Sequence, residues 1–225
     1  DAGPLYSADS NAGQRVVVPY LRANGVEQLD TLVVSHRDKD HAGGVSAVQA
    51  YLPVDRLLSS MIELGGERCS AGQSWEWDGV RFSILHPVLA DYQIDTKKSN
   101  SMSCVLRVGT AAGSVLLTAD IEADDERALI ERSAALLPSE VLLAPHHGGS
   151  RSSTADFIAA VGAREVVFSA GYRNGFNHPR PDVLERYAAS GQWRTDHDGA
   201  IRIVLAGSTE VSAWRRERRR YWHGQ

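Results

Sequence analysis

Apolar residues in this chain come in short runs, and several of the gaps between runs repeat every three to four positions. The strand-like runs are Thr31–Ser35, Val80–Leu85, Cys104–Val108, Val115–Thr118, Val141–Leu143, Glu165–Ser169 and Ile201–Leu205. Runs of this length, rich in Val, Leu and Ile, fit strands buried in a sheet. The helical period predicts helices over Gly43–Tyr51, Ala123–Ser133, Thr154–Val161 and Pro181–Ala189. Pro179 and Pro181 stand at the opening of the last, where a missing backbone donor does least harm. Asp78-Gly79 marks a turn ahead of the Val80 strand. Strands alternating with helices predict a layered α/β domain rather than a sandwich or a bundle. With no repeat and no long linker, the expected division is one domain over 1–213 and a short tail over 214–225.

Composition narrows the partners. The 225 residues are 43% hydrophobic and 23% charged, enough to bury a sizeable core. No stretch approaches the roughly 18 consecutive apolar residues of a membrane span. The net charge of −4 is unevenly placed: residues 214–225 hold five arginines against one glutamate, a local +4, so the rest carries −8. An acidic body argues against broad nucleic-acid coating and suits a site that gathers carboxylates around cations. The arginines and aromatics of the tail fit a single-stranded nucleic acid or an anionic membrane surface, and equally a solvated terminus. Cys69 and Cys104 are too few for a disulfide scaffold, and their spacing alone favours two buried thiols over one bridge.

Candidate chemistry sits where the apolar runs end. Directly after Leu32-Val33-Val34-Ser35 come His36, Asp38, Asp40 and His41, two imidazoles and two carboxylates within six residues. Donors of these types suit zinc, manganese or iron, and four of them can serve two ions. Gly43-Gly44 would let the next helix start close to the metals. The bland reading is a charged surface loop. Asp120 ends the Val115–Ala119 run and reads either as the cap of the following helix or as a carboxylate bridging two metals. After Val141–Ala144 come His146 and His147, which look like a metal ligand beside a supporting or substrate-facing partner. Ser150, Ser152 and Ser153, around Arg151, could hold an anionic oxygen, or Ser152 or Ser153 could cap the next helix. Asn174 and His178 lie in a Gly-rich loop: Asn174 is a candidate for substrate binding, and His178 reads either as a group that binds substrate phosphate or assists a leaving group, or as a solvated loop histidine. Asn100, Ser101 and Ser103 form a further polar cluster, whereas His86, His197 and His223 receive no role from spacing.

Together these residues resemble the metallo-β-lactamase-like domain of the ComEC family of competence DNA-uptake channel proteins. The resemblance is carried by Asp1-Ala2-Gly3, Val17–Leu21, the Ser35–Gly44 run, Leu117-Thr118-Ala119-Asp120, His146-His147-Gly148, Asn177-His178-Pro179 and Thr195–Ile201. It implies a four-layer αββα sandwich, with the family's first strands expected ahead of Asp1. It implies a metal-dependent nuclease acting on DNA phosphodiester bonds and degrading the strand that is not taken up. His36, Asp38, Asp40, His41, Asp120 and one of His146 or His147 would then hold two divalent ions, manganese or zinc. Asp40 would also orient the attacking oxygen, and Asp1 would buttress the ligands. The implied partners are DNA, the membrane channel portion of the parent protein and competence DNA-receptor proteins. The implied place is the extracytoplasmic, periplasmic face of the inner membrane, which brings a Cys69–Cys104 bridge level with free thiols. Ala119 stands where the family usually has Gly, and Gly149 where it usually has Ser. Two rivals are a small ester or lactam hydrolase using the same residues and a non-catalytic module that holds DNA.

Overall fold

Consecutive parallel strands need a crossover between them, and the alternation of runs and helical segments supplies one at each step. The computed structural model describes Asp1–Tyr221, so Trp222 and His223 of the tail lie outside the described residues. The chain divides into two units, residues 1–71 with 86–104, and residues 72–85 with 105 onward.

The first unit contains β1 (Leu5–Ser7), β2 (Ser10–Asn11), α1 (Val18–Ala23), β3 (Leu29–Val34), α2 (Lys39–Ala42), α3 (Val45–Tyr51), β4 (Val54–Ser59) and β5 (Glu67–Arg68). Strands β3, β4 and β5 form a parallel sheet in that order. Helix α3 crosses over between β3 and β4, and its Val45 and Val48 bury against Leu32 and Val34 together with Ala2, Val18 and Leu52. This core is small. It is reinforced by a Cys69–Cys104 disulfide, which corrects the spacing-based preference for free thiols. Spacing says nothing of distance in space; the fold brings the Cα atoms to 5.9 Å. Closing a loop of 35 residues is worth about 3–4 kcal/mol in the chain-entropy account.

The second unit contains β6 (Ser74–Trp77), β7 (Val80–His86), β8 (Val105–Thr110), β9 (Gly113–Leu117), α4 (Ala123–Ser133), β10 (Val141–Leu143), α5 (Ala155–Val161), β11 (Glu165–Phe168), α6 (Pro181–Arg186), β12 (Gly191–Arg194), α7 (Thr195–Asp198), β13 (Ile201–Ala206), β14 (Ser208–Ala213) and α8 (Trp214–Glu217). Seven strands form one sheet in the order β12-β11-β10-β9-β8-β7-β6. Strands β9 to β12 run parallel, joined through α4, α5 and α6, so their carboxyl ends share one edge of the sheet. Leu116, Leu142, Val166 and Phe168 of these strands bury against Leu129 of α4, Phe157 and Val161 of α5, and Val183 and Tyr187. The β6–β7 hairpin turns on Asp78 and Gly79, both at positive φ (49° and 78°), the twist-matched turn that Asp-Gly favours.

Every predicted strand and helix appears, with ends displaced by a few residues. Strands β4, β6, β12 and β14 were not legible as apolar runs. Ser74-Trp75-Glu76-Trp77 and Gly191-Gln192-Trp193-Arg194 are edge strands with most side chains half or fully exposed, so little apolar patterning marks them. The start of the basic tail is tied to the second unit by ion pairs and hydrogen bonds. Arg216 makes a two-pronged ion pair with buried Asp198 (2.8 and 3.0 Å) and lies 4.1 Å over the Trp193 ring. Arg215 donates to the carbonyls of Asp196 and His197.

Candidate metal-binding loops

In the first unit the donors follow the carboxyl end of β3. Asp1 organises them. Its Oδ1 accepts the Ser35 N–H at 2.7 Å, and its Oδ2 accepts the Ser35 hydroxyl at 3.0 Å and His41 Nδ1–H at 2.9 Å. A carboxylate only accepts, so His41 carries its proton on Nδ1 and presents Nε2 as a lone pair. The Ser35 hydroxyl, having donated to Asp1, accepts from His36 Nδ1 at 3.0 Å, which leaves His36 the same tautomer. His36 is fully buried and His41 nearly so. Their rings lie 4.2 Å apart. His36 Nε2 is 3.7 Å from Asp38 Oδ2, and His41 Nε2 is 3.8 Å from Asp40 Oδ2. These separations are too long for hydrogen bonds. Two ligands about 2.1 Å from one ion stand roughly 3–3.5 Å apart, which is close to what is seen.

Gly43 and Gly44 have a different reason from the one expected of them. A Cβ on Gly44 would fall 2.2 Å from the Ala2 carbonyl oxygen and 2.4 Å from the Gly13 nitrogen. The glycines let the Asp1–Leu5 segment lie on the loop, where Ala2 N–H bonds to the His41 carbonyl and Gly44 N–H to the Gly3 carbonyl. That contact delivers Asp1 to His41.

In the second unit the donors come from three successive parallel strands. Asp120 follows β9, His146 and His147 follow β10, and His178 lies in the connection after β11. Asp120 is buried and does not cap α4; that helix is closed by Asp125, whose carboxylate accepts the Glu122 N–H at 3.1 Å. His147 Nδ1 donates to the Ser169 carbonyl at 2.7 Å, so its Nε2 is also a lone pair, 3.4 Å from Asp120 Oδ1. His146 lies 3.9 Å from Asp120 Oδ2 through Nε2 and 3.6 Å from Glu122 Oε1 through Nδ1. Its ring meets His178 edge-on at 5.7 Å. Burial, and the nearby His146 and His147, hold the His178 imidazole below its ordinary pKa. Asn174 shapes this loop: it donates to the carbonyls of Gly171 and His178 and accepts the His178 N–H at 2.9 Å.

The Ser/Arg cluster divides. Ser150 is exposed, and Arg151 pairs with Glu122 at 2.8 Å. Ser152 and Ser153 are buried; Ser152 Oγ donates to the carbonyls of Pro145 and Gly149, and Ser153 Oγ accepts the Tyr187 hydroxyl. Neither caps α5. That role belongs to Thr154, whose Oγ1 accepts the Phe157 N–H at 3.3 Å. His86, left without a role by spacing, is buried with Nε2 2.9 Å from the Ser101 carbonyl oxygen. Sequence reasoning passed over Ser35, Glu122 and Glu126. Ser35 sits inside the motif itself, and only its bonds to Asp1 and His36 reveal its part.

Side chains able to hold a metal ion are thus Asp40 and His41 in the first unit and Asp120 and His147 in the second. Acid and imidazole donors held at the carboxyl ends of parallel strands, with ring tautomers set by outer partners, are the chemistry of a hydrolase metal site. Residues 1–171 match the metallo-beta-lactamase superfamily. The chain belongs to that superfamily. This metallo-β-lactamase domain is 40% identical over 215 residues to "Competence protein ComA" of Neisseria gonorrhoeae, covering 94% of this chain and 30% of that protein. It is 32% identical over 228 residues to "Recombination protein 2" of Haemophilus influenzae, covering 95% and 28% respectively. The resemblance to the ComEC family therefore holds, and the chain spans less than a third of those relatives' length. Among solved structures, the "Putative metal-dependent hydrolase" of Parabacteroides distasonis superposes with a TM-score of 0.51 at 12% identity, over 75% of this chain and 77% of that one. That likeness speaks for the mixed α/β fold alone. No helix among the described residues is long and apolar enough to cross a membrane.

Proposed function

We propose that this metallo-β-lactamase domain is a metal-dependent deoxyribonuclease of a DNA-uptake system, acting on the strand that is not imported. The observation that carries the reading is the set of histidines His36, His41 and His147. Each has its Nδ1 engaged by a protein group, and each turns its Nε2 toward a carboxylate oxygen 3.4 to 3.8 Å away. The donor chemistry fits divalent ions, manganese or zinc, with His36, Asp38, Asp40, His41, Asp120 and His147 as the holding residues. When bound, such ions polarise phosphate oxygens and lower the pKa of water into the neutral range. Asp1 keeps His41 fixed through Nδ1, and Ser35 does the same for His36. His146, packed between Glu122 and His178, is left as the supporting histidine of the pair. Burial and the imidazole neighbours disfavour the charged form of His178. A phosphate diester beside it acts in the opposite sense, so protonation is coupled to substrate arrival and the ring can donate to the leaving oxygen.

DNA as substrate is supported by the names of the relatives, a competence protein and a recombination protein. Placement on the extracytoplasmic side, joined to the membrane channel portion of a parent protein and near its DNA-receptor partners, is supported by the Cys69–Cys104 bridge, since such bonds persist in oxidising compartments.

The test is cleavage of labelled single- and double-stranded DNA by metal-stripped protein with zinc or manganese restored, beside Asp40→Ala. Metal-dependent cleavage that falls in the variant by more than the roughly 10–100-fold typical of an outer partner supports the proposal. A folded, metal-loaded protein that leaves both DNAs intact overturns it.

A further inference from the structure

Glu126 is fully buried on α4, six residues beyond Asp120. Burying a carboxylate is costly unless hydrogen bonds answer it. Here they do. Its Oε1 accepts the Ser153 N–H at 2.5 Å and its Oε2 accepts the Thr154 N–H at 2.8 Å. Burial pushes the Glu126 carboxyl above the ordinary range, while the bonds from Thr154 and Ser153 and the Arg186 charge pull it back.

The segment it grips is strained. His146, His147 and Ser153 have φ of 50°, 56° and 62°, left-handed conformations that cost each non-glycine residue about 1–3 kcal/mol. Such strain persists only where surrounding groups over-determine it. The surrounding groups are present: Arg186 donates to the carbonyls of Ser152 and Ser153 at 3.0 and 3.1 Å, and Tyr187 donates to Ser153 Oγ at 3.0 Å. Ser152 Oγ reaches back to the carbonyls of Pro145 and Gly149. At its other end the same segment is tied beside Asp120, where His146 N–H bonds to the Ala119 carbonyl.

We infer that Glu126 is a positioning residue: with Arg186 and Tyr187 it locks the 145–154 loop in the left-handed form that aims His147 Nε2 toward Asp120. This rests on the metal-binding reading of His147 and Asp120, but the lock itself does not. Glu126→Gln keeps the shape and removes the charge, and it puts an amide N–H₂ against one of the two backbone donors.

The experiment compares wild type and Glu126→Gln by residue-resolved amide exchange, by ¹⁵N signals of the histidine rings in metal-free protein, and by zinc titration. Expected are exchange at least tenfold faster at Ser153 and Thr154 with β10 still protected, displaced His146 and His147 ring signals with those of His36 and His41 in place, and zinc affinity about 10–100-fold weaker. Unchanged ring signals and unchanged loop exchange, or a uniform loss of protection through β10 and α5, overturn the inference. Should Glu126→Gln not fold, Tyr187→Phe, which deletes only the hydroxyl bond to Ser153, is expected to shift the same signals by less; no shift overturns the inference equally. If wild type binds no zinc, the metal reading fails, while exchange and ring signals still decide the lock.

Discussion

The two donor loops reach the same chemical end by opposite means. In the loop after β3, four donors lie within six residues, with no left-handed residue from Ser35 to Gly44, and the histidines are oriented by side chains, Asp1 and Ser35. In the loops after β9, β10 and β11, donors are spread from Asp120 to His178, and the backbone turns through left-handed Ala119, His146, His147 and Asn177. There His147 is oriented by a main-chain carbonyl, that of Ser169. A short motif can be written into neighbouring positions; a site assembled from three strand ends must be bent into place and then held.

Gly44→Ala should be the most damaging change, because its Cβ would overlap main-chain atoms of Ala2 and Gly13 that cannot swing aside. A loss of about 3 kcal/mol in urea denaturation is expected, with displacement of Asp1 from His41. A variant as stable as wild type would mean that the Asp1 segment is not anchored through this glycine. Asp1→Asn should weaken zinc binding about 10–100-fold with little change in stability. Because the counterpart in the second loop is the Ser169 carbonyl, no side chain there bonds the His147 ring at Nδ1 as Asp1 bonds His41; equal titrations for Asp1→Asn and wild type would remove the contrast.

Asp198 marks the opposite extreme, a carboxylate answered wholly by protein. Burial works against its charge, but bonds from Arg216, the Arg194 N–H and His197 prevail and hold its pKa down to about 2. Its contribution is therefore present above the unfolded value near 4, fades as pH falls through about 2, and is absent below. Asp198→Asn should lose about 2 kcal/mol at pH 6, converge with wild type near pH 2, and bind zinc normally. A constant difference across that pH range would show that the charge is not what matters. The smallest effect is a gain: Ala119→Gly, at φ 47°, should raise stability by about 1 kcal/mol by relieving a left-handed alanine. No gain would mean that the second loop's strain is not stored at that residue.

The chain's own pattern determined the alternation of β3, α3, β9, α4, β10, α5 and β11, because burial on both faces of a parallel sheet demands continuous apolar runs. It also determined which strand ends carry chemistry, since His36–His41, Asp120 and His146-His147 each begin where an apolar run stops. Other features were decided only in three dimensions. The edge strands β6 and β12 show no apolar run, because edge pairing places few demands on side chains. The disulfide depends on a 5.9 Å approach between residues 35 apart in sequence, which spacing cannot supply. Asp1 reaches His41 across 40 positions through a backbone-on-backbone contact that needs Gly44. Ser152 and Ser153 looked available for substrate, and the fold turned them inward to bind its own carbonyls and Tyr187. Residue type follows from local chemistry, whereas the direction a polar side chain faces is set by whichever partner the completed packing brings within 3 Å of it.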